Sequence, residues 1–482
     1  MYLSQILFPN ETISHGFSDI PFEKPCADTR ELSKGDVFFS ENGASYITEA
    51  VEKGACAIVL DAETALSPLA IPVFRVENVR KQYALAWARY TGHPEKHLRL
   101  IAVTGTNGKT SVSFFLSELL KKAGYQTGLV GTVAYSDGKN CYPSDYTTPT
   151  PEKLYPLLQK MKENGVIFAV MEASSHAIAQ ERLYGLTFEI AIFTNLTRDH
   201  MDYHKTWDAY KNAKASLFRN AEHSLLNLDD PSAKDMAWQA RGDVYYYAKN
   251  PEAEFAIEHP LCTKYDIRYS LRIGNEILSL KLPLVGGFHI ENTAAAISAA
   301  YLVGLPKETI QSAAPLLKAP TGRLEKLDTD TEYDIYIDYA HTADALEKAL
   351  TALRPHTERL TVLFGAGGDR DRGKRPEMGK TADTLSDRII LTSDNPRSES
   401  PEDIIADVMR GIQSTKVLCI PDRKEAIEYA LATATAGEIL LLAGKGHETY
   451  LIDQNGKHDF SERDIVSYYL QRKGKENVSQ HE

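Results

Sequence analysis

One short segment constrains the fold of this chain more than any other, a glycine loop between an apolar run and an apolar-periodic stretch. Residues 98–104, LRLIAVT, have the composition of a buried strand, and residues 111–123 have the spacing of a helix that ends before Gly124. Between them stands GTNGKT, residues 105–110. A strand, a glycine-rich turn and a helix in this order are typical of a phosphate-binding loop, in which backbone N–H groups converge on phosphates. We therefore expect a nucleotide at the edge of a parallel sheet.

The side chains of the loop suit phosphate and a divalent cation. Val103 stands where the usual spelling of such loops has a first glycine, so the loop is a shorter variant. Lys109 would supply positive charge and Thr110 a hydroxyl ligand for Mg²⁺. The predicted nucleotide contacts are the whole loop: Gly105, Thr106, Asn107, Gly108, Lys109 and Thr110.

Short apolar runs alternate with helical stretches along the chain and predict an α/β fold. A length of 482 residues exceeds one ordinary core. We predict a small N-terminal α/β domain over residues 1–96 and a central domain of the P-loop ATPase type, with a mostly parallel sheet, over residues 97–318. A linker then leads to a doubly wound C-terminal α/β domain over residues 319–482.

Composition excludes several classes of function. A formal net charge of −12 argues against a nucleic-acid binder, which needs a basic face. The five cysteines are scattered and have no C-x-x-C spacing, which predicts a reducing compartment without structural zinc or disulfides. Because no apolar run approaches the length of a membrane span, we expect a cytoplasmic protein without membrane insertion.

Titratable side chains gather where two further predicted strands end. Glu172 closes a buried strand that begins at Val166, and the strand at residues 190–194 leads into a cluster that contains His200. Open α/β sheets bind ligands at the carboxyl ends of their strands. Taken alone, His200 fits a hydrogen-bonded core histidine equally well.

The loop GTNGKT after a strand resembles the ATP loop of the Mur ligases, the family that joins amino acids to a UDP-muramyl precursor of peptidoglycan. The similarity extends from about residue 97 to 465 through several motifs. It implies a monomeric ATP-dependent amide ligase of cell wall synthesis that uses ATP and Mg²⁺. A substrate carboxylate would take the γ-phosphate of ATP, and an amine would then displace phosphate from the acyl phosphate.

The resemblance also assigns roles in catalysis and ATP binding. Lys109, Glu172, His200 and Lys214 would be catalytic, and the metal ligands would be Thr110, Glu172, His200 and Lys214 as a carbamate. Without the resemblance, Lys214 reads as a solvated helix lysine. Further predicted ATP contacts are Asn292, Arg323 and Asp338, with His341 nearby.

Two segments resemble the family's muramyl-peptide binding stretches, and a third resembles its N-terminal opening motif. The predicted contacts with the UDP-muramyl peptide are Thr29, Thr147, Thr148, Ser174, Gln180 and Arg182. Residues 39–46, however, form a shorter turn than the family usually has near the uridine end. A related ligase with another acceptor, for instance one without UDP, is therefore an alternative.

The C-terminal third contains the most specific text, DNPR at residues 394–397. In the family this sequence marks ligases that add meso-diaminopimelate, whose second carboxylate suits a guanidinium. The predicted diaminopimelate contacts are Arg370, Asp394, Asn395, Pro396, Arg397, Gly444 and Glu448. Two simpler alternatives are that Arg397 forms only a surface ion pair, and that the chain is a nucleotide-binding regulator without catalysis.

Overall fold

The computed structural model describes residues 2–6 and 20–479. The chain divides into two units, Met1–Ala256 with Ala295–Ile310, and Ile257–Ala294 with Gln311–Glu482. Each of the three predicted domains has a sheet of its own. The predicted boundaries at residues 96/97 and 318/319 stay predictions.

The first sheet has four parallel strands in chain order. Its strands are almost entirely apolar, and β2 and the first four residues of β3 are fully buried. Asn78 caps the helix that begins at Val79 by accepting a hydrogen bond from the backbone N–H of Lys81 at 3.0 Å. The elements are β1 (Pro25–Cys26), β2 (Val37–Phe39), β3 (Ala57–Asp61), β4 (Val73–Val76), α1 (Leu3–Ile6), α2 (Ile47–Glu52) and α3 (Val79–Tyr90).

The central sheet places the strand of the glycine loop between two parallel neighbours. Its strands are β5 (Arg99–Thr104), β6 (Thr127–Val130), β7 (Ala134–Ser136), β8 (Cys141–Pro143), β9 (Phe168–Glu172), β10 (Phe188–Phe193), β11 (Ala221–Asn227) and β12 (Asp243–Ala248). Their order is β12-β11-β10-β5-β9-β6-β7-β8, and only β7 runs antiparallel to its neighbours β6 and β8. The next strand, β13 (Phe255–Cys262), pairs with β12 through Phe255 and Ala256. The mostly parallel sheet predicted from the sequence is present.

Helices connect these strands, and a 3₁₀ turn at Pro94–His97 precedes β5. The helices are α4 (Lys109–Lys122), α5 (Pro151–Glu163), α6 (Ser175–Ala179), α7 (Met201–His204), α8 (Trp207–Ala215), which continues into a 3₁₀ turn at Ser216–Asn220, and α9 (Ala233–Gln239). The register pairs Val103 of β5 with Glu172 of β9, and Thr104 of β5 with Phe193 of β10. Three strand ends therefore meet at one edge.

The second unit contains an antiparallel hairpin and a six-stranded sheet. The hairpin is β14 (Ile267–Ile273) and β15 (Glu276–Leu282), followed by α10 (Phe288–Leu302), α11 (Lys307–Ala313) and a 3₁₀ turn at Ala314–Leu316. The sheet has the order β16-β17-β21-β18-β19-β20 and is parallel except for β16. Its strands are β16 (Glu325–Lys326), β17 (Asp334–Asp338), β18 (Leu360–Phe364), β19 (Arg388–Leu391), β20 (Val417–Cys419) and β21 (Ile439–Ala443).

Alternate residues of these strands enter two separate apolar cores. Val362 and Leu441 pack in one core with α12 (Ala343–Leu353) and α13 (Lys374–Leu385). Leu363 and Leu440 pack in the other core with α15 (Arg423–Thr433) and α16 (Glu462–Ser479). Helices therefore cover both faces, as predicted for a doubly wound sheet. The remaining elements are α12 (Ala343–Leu353), a 3₁₀ turn at Arg354–His356, α13 (Lys374–Leu385), α14 (Pro401–Met409), α15 (Arg423–Thr433), the hairpin β22 (Tyr450–Asp453) and β23 (Gly456–Asp459), and α16 (Glu462–Ser479).

Within residues 2–6 and 20–479, no helix has both the length and the apolar character needed to cross a bilayer. All five cysteines are free thiols.

Candidate active site

The glycine loop follows β5 directly and opens α4. Gly105 and Gly108 have φ of 150° and 86°, and Lys109 is the first residue of the helix. A Cβ atom at position 105 would lie 1.9 Å from Thr194 Oγ1, so only glycine fits there. The N-terminus of a 14-residue helix faces the loop and favours anions.

Side chains that follow β10 hold the loop by its backbone. Asn195 accepts a hydrogen bond from the Asn107 N–H at 2.9 Å through Oδ1 and donates from Nδ2 to the Asn107 carbonyl at 3.2 Å. The hydroxyl of Thr194 donates to the same carbonyl at 2.6 Å. The Thr106 N–H donates to the Asn195 carbonyl at 2.8 Å. The loop is therefore shaped before any nucleotide binds.

Two lysines donate to the same loop carbonyl. Lys109 Nζ lies 2.9 Å from the Gly105 oxygen and 2.8 Å from the Thr106 oxygen. Lys214 Nζ lies 2.7 Å from the Gly105 oxygen and is fully buried at the end of α8. Burial, reinforced by the charge of Lys109, holds the pKa of Lys214 well below its usual range. The alternative of a solvated helix lysine, which Lys214 would suggest without the family resemblance, is excluded, because α8 packs this side chain against the loop.

Glu172 ends β9 as a buried carboxylate with three donors. Its Oε2 accepts from the Thr110 hydroxyl at 2.9 Å and from the Thr132 hydroxyl at 3.0 Å, and its Oε1 accepts from the Thr132 N–H at 2.7 Å. A Cβ atom at Gly131 would lie 2.4 Å from Oε1, so the neighbouring chain passes close by. The carboxylate is thus fixed beside the first turn of α4.

Thr110 and Glu172 fit a magnesium ion. Both supply hard oxygen atoms, and their 2.9 Å separation is close to that of adjacent ligands in an octahedral shell with bonds of about 2.0–2.1 Å. In the part of the chain that the structure describes, no three His, Cys, Asp or Glu side chains come together as a metal-holding group. A Mg²⁺ ion at this place would rely on substrate oxygens and water for its other ligands.

His200 belongs to a cluster of aromatic rings near Lys109 and Lys214, whose charges act on its imidazole. It precedes α7 with φ of 55°, and its ring packs edge-on against His176 at a centroid distance of 4.7 Å. Tyr203 and His204 complete the cluster around His176 at 4.2 and 5.6 Å. Burial lowers the pKa of His200, against the opposing effect of Asp199. His200 is therefore held as a neutral imidazole, the form that binds metals.

The structure brings most of the predicted muramyl-peptide contacts together. The Thr148 hydroxyl donates to the Glu172 carbonyl at 2.7 Å and accepts from the Ser174 N–H at 3.0 Å. Arg182 donates to the Thr148 carbonyl at 2.7 Å and to Gln180 Oε1 at 3.0 and 2.7 Å. The Thr147 hydroxyl lies 3.0 Å from that of Thr132, so this group adjoins the Glu172 carboxylate.

Thr29 lies apart from that group, in the loop between β1 and β2 of the first sheet. It is buried, and its carbonyl accepts a hydrogen bond from Lys53 Nζ at 2.8 Å. Its assignment to the UDP end stays a prediction.

Three predicted ATP contacts lie in the second unit. Asn292 is buried on α10, and Asp338 ends β17 and accepts from the Leu324 N–H at 2.5 Å. Burial raises the pKa of Asp338 to about 6, against the lowering effect of Arg323. The guanidinium of Arg323 lies 4.7 Å from the centre of the Tyr339 ring. The ring of His341 also packs against Tyr339, with 4.8 Å between the ring centres. Their contact with ATP stays a prediction.

The predicted amino-acid site lies at the carboxyl ends of β19 and β21. Asn395 Nδ2 donates to Glu448 Oε2 at 2.9 Å. Gly444 has φ of 113°, and a Cβ atom there would lie 2.5 Å from Asp394 Oδ2. These residues, predicted from two motifs about fifty positions apart, therefore lie side by side.

Arg397 occupies an uncommon backbone conformation, with φ of 55°. Its Nη1 donates to the Gly368 carbonyl at 2.7 Å, and the backbone of Pro396 passes so close that a Cβ atom on Gly368 would meet the Pro396 oxygen at 1.8 Å. Desolvation, and next the positive charge of Arg370, lower the pKa of Arg397. Arg370 itself is exposed on the adjoining loop. Arg397 is held by backbone carbonyls in this loop, and its contact with diaminopimelate stays a prediction.

Several residues of these sites escaped the sequence analysis. Thr132 and Asn195 are polar residues in loops and carry no distinctive spacing. Lys445 lies inside the recognised motif GKGHE, yet only Gly444 and Glu448 of that motif were assigned. The signal in the sequence is a lysine between two glycines directly after an apolar strand.

Comparison with known proteins agrees with this geometry. Residues 103–300 match the model of the Mur ligase middle domain, and residues 322–446 match that of the Mur ligase glutamate ligase domain. Curated relatives include two proteins with the name UDP-N-acetylmuramoyl-L-alanyl-D-glutamate--2,6-diaminopimelate ligase. The protein of Clostridium botulinum is 37% identical over 92% of this chain and 94% of the relative. The protein of Clostridium perfringens is 38% identical with the same coverage. A solved structure of a protein with that name superposes with a TM-score of 0.71 at 32% identity, covering 98% of this chain and all of the other.

The chain belongs to the Mur ligase family. The family and the three-domain α/β fold predicted from the sequence are confirmed. Members of this class are ATP-dependent ligases that join an acid to an amino acid, so the predicted enzyme class is confirmed as well.

Proposed function

We propose that this chain adds meso-diaminopimelate to UDP-N-acetylmuramoyl-L-alanyl-D-glutamate at the expense of ATP, in the synthesis of peptidoglycan precursors. Its full-length similarity to relatives named for that reaction supports the choice of substrates. The observation that carries it is the loop of Arg397, where a desolvated guanidinium and Arg370 form a positive site beside the carboxylate of Glu448. A substrate with a distal carboxylate and a distal ammonium matches that pair of charges.

The proposed reaction has two steps. A carboxylate oxygen of the D-glutamyl residue attacks the γ-phosphorus of ATP, the bond to the bridging oxygen breaks, and ADP leaves. The amine of diaminopimelate then attacks the acyl carbon, loses a proton, and displaces inorganic phosphate as the amide forms. Lys109 and the loop N–H groups bind the phosphates and stabilise the charge that develops on them.

Thr110 and Glu172 would hold Mg²⁺, which neutralises phosphate charge when bound. His200 is the third predicted ligand and remains one. The chain's own contribution at this place is positional, because the Thr132 N–H and hydroxyl fix the Glu172 carboxylate.

Lys214 is the residue that we propose to be carbamylated. Burial lowers the pKa of Lys214 well below its usual range and so favours the neutral amine, which is the form that adds CO₂. The carbamate nitrogen gains the CO₂ carbon and releases a proton, and the product is an anion. That anion would attract the ammonium of Lys109, which donates to the same Gly105 carbonyl as Lys214.

The test is phosphate release from ATP by the purified protein. The arms are UDP-N-acetylmuramoyl-L-alanyl-D-glutamate with meso-diaminopimelate or with L-lysine, and the corresponding muramyl peptide without UDP. Release that requires the UDP acceptor and diaminopimelate supports the proposal. Release with the UDP-free acceptor alone would instead establish the alternative ligase that the short turn at residues 39–46 suggests, and no release with any acceptor would favour a regulator.

A matched pair of variants assigns the activity to the loop. Lys109→Met should abolish phosphate release, whereas Lys122→Met, which changes an exposed lysine at the other end of α4, should leave it unchanged. Equal loss in both variants would contradict the assignment.

The cytoplasmic location and the monomeric state stay predictions. Size-exclusion chromatography with light scattering tests the monomeric state.

A further inference from the structure

Lys445 is a fully buried cation at the carboxyl end of β21. Its side chain has no exposed surface and lies in the loop between Gly444 and Gly446. Burial of an ammonium is costly unless acceptors surround it. Burial lowers the pKa of Lys445, and the carboxylates of Asp394 and Glu448 oppose that effect.

Each of the three donors of the ammonium has an acceptor. Lys445 Nζ lies 2.6 Å from Asn395 Oδ1, 2.5 Å from the Tyr450 carbonyl and 3.1 Å from Glu448 Oε2. An ammonium has three N–H bonds and no acceptor capacity. Lys445 therefore has no hydrogen bond left for a substrate, and any influence on binding must act through its partners.

Those hydrogen bonds fix the orientation of the Asn395 amide. Asn395 Oδ1 also accepts from the Ile452 N–H at 2.9 Å, so two donors face the amide oxygen. The amide cannot flip without placing its NH₂ group against both donors. Its nitrogen consequently points at Glu448 Oε2, 2.9 Å away.

Glu448 is held by one of its two oxygens. Oε2 receives hydrogen bonds from both Asn395 and Lys445, whereas Oε1 has the Tyr339 hydroxyl at 3.5 Å, which is a long contact. The carboxylate is therefore anchored on one side and remains available as an acceptor on the other. Such an arrangement suits the binding of an ammonium group.

We propose that Lys445 is a positioning residue for amino-acid binding, which orients the Asn395 amide and anchors the Glu448 carboxylate for the distal ammonium of the incoming amino acid. This inference rests on the proposed function and names the residue on which its amino-acid site depends. Loss of Lys445 leaves Glu448 without its cation and lets the Asn395 amide turn. Recognition of diaminopimelate is then lost while ATP binding is retained.

The experiment is a double-mutant cycle in the full chain. KM for diaminopimelate and for ATP, and kcat, are measured by phosphate release for the wild type, Lys445→Met, Glu448→Gln and the double variant. Lys445→Met should raise KM for diaminopimelate at least thirtyfold, with KM for ATP within twofold. The double variant should be little worse than Glu448→Gln, because residues that act as one unit are not additive. Lys380→Met, at an exposed site on α13, is the matched control.

Additive effects, or equal rises of both KM values, would overturn the proposal and leave Lys445 a residue of general stability. Thermal unfolding is measured for each variant. If Lys445→Met does not fold, Asn395→Asp keeps the acceptor for Lys445 and removes the donor to Glu448. A normal KM for diaminopimelate in that variant would refute the proposed orientation. A wild type without diaminopimelate-dependent phosphate release would refute the proposed function itself, whereas an active wild type with an unaffected Lys445→Met refutes only this inference.

Discussion

Arg397 allows the contributions of charge and of shape to amino-acid recognition to be separated. Its Nη1 is anchored on the Gly368 carbonyl at 2.7 Å, so the plane of the guanidinium is set by the protein. A fixed planar fork can bind the distal carboxylate of diaminopimelate through two parallel hydrogen bonds. Arg397→Lys keeps the charge and removes the fork.

The size of the effect follows from the bonds lost. Lysine at this position offers one point contact where arginine offers two, so one charge-assisted hydrogen bond disappears, about 1.5–3 kcal/mol. At about 1.4 kcal/mol per factor of ten, kcat/KM for diaminopimelate should fall roughly 10- to 150-fold. L-lysine has no second carboxylate, so any phosphate release that it supports should not decline.

The assay is phosphate release with either amino acid at saturating ATP, followed by a titration of ATP. Arg410→Lys is the matched control, because Arg410 is an exposed arginine of the same unit, paired with Asp407 at 3.0 Å. KM for ATP should be unchanged in both variants. A parallel loss with ATP and diaminopimelate, or no loss at all, would refute the assigned contact.

Three further outcomes are expected. Lys214→Ala should abolish activity and regain part of it with added formate or acetate, which supply the missing carboxylate; rescue by chloride instead would contradict the carbamate. Gly105→Ala should prevent ATP binding in isothermal titration and lower the melting temperature, because its Cβ would lie 1.9 Å from Thr194 Oγ1, and normal ATP affinity would disprove that constraint. Hydrogen bonding to Arg375 lowers the pKa of Glu399 from 4.5 to about 2, so its contribution to stability is present above pH 4.5 and is lost as the pH falls towards 2. Glu399→Gln should flatten the acid limb of the stability curve, and an unchanged slope would contradict this linkage.

The sequence was informative wherever local chain geometry determines the site. The loop at residues 105–110 follows a buried strand and opens a helix, so its place at a sheet edge could be predicted. Glu172 could be placed at a strand end from the sequence alone, whereas its pairing with Thr110 as a metal ligand came from the family resemblance; the two side chains are 2.9 Å apart. Such inferences require no knowledge of long-range packing.

Features that depend on distant parts of the chain were missed. The burial of Lys214 reverses the usual behaviour of lysine, and nothing within α8 itself indicates the loop against which it packs. The roles of Asn195 and Lys445 arise from contacts with segments 88 and 50 positions away. The hairpin of β14 and β15, in contrast, was predictable from the sequence, because Gly274 and Asn275 form a recognisable turn between two stretches of alternating polarity.

The contact between Asn195 and the backbone of Asn107 has a consequence for how the protein is made. The two residues are 88 positions apart, and the ribosome adds residues to the chain in order. Synthesis adds about 5–20 residues per second, so the glycine loop leaves the ribosome several seconds before Asn195 does. For several seconds the nascent chain therefore contains the glycine loop without the hydrogen bonds that fix its conformation. Nucleotide binding has to wait until β10 and the residues that follow it have been made.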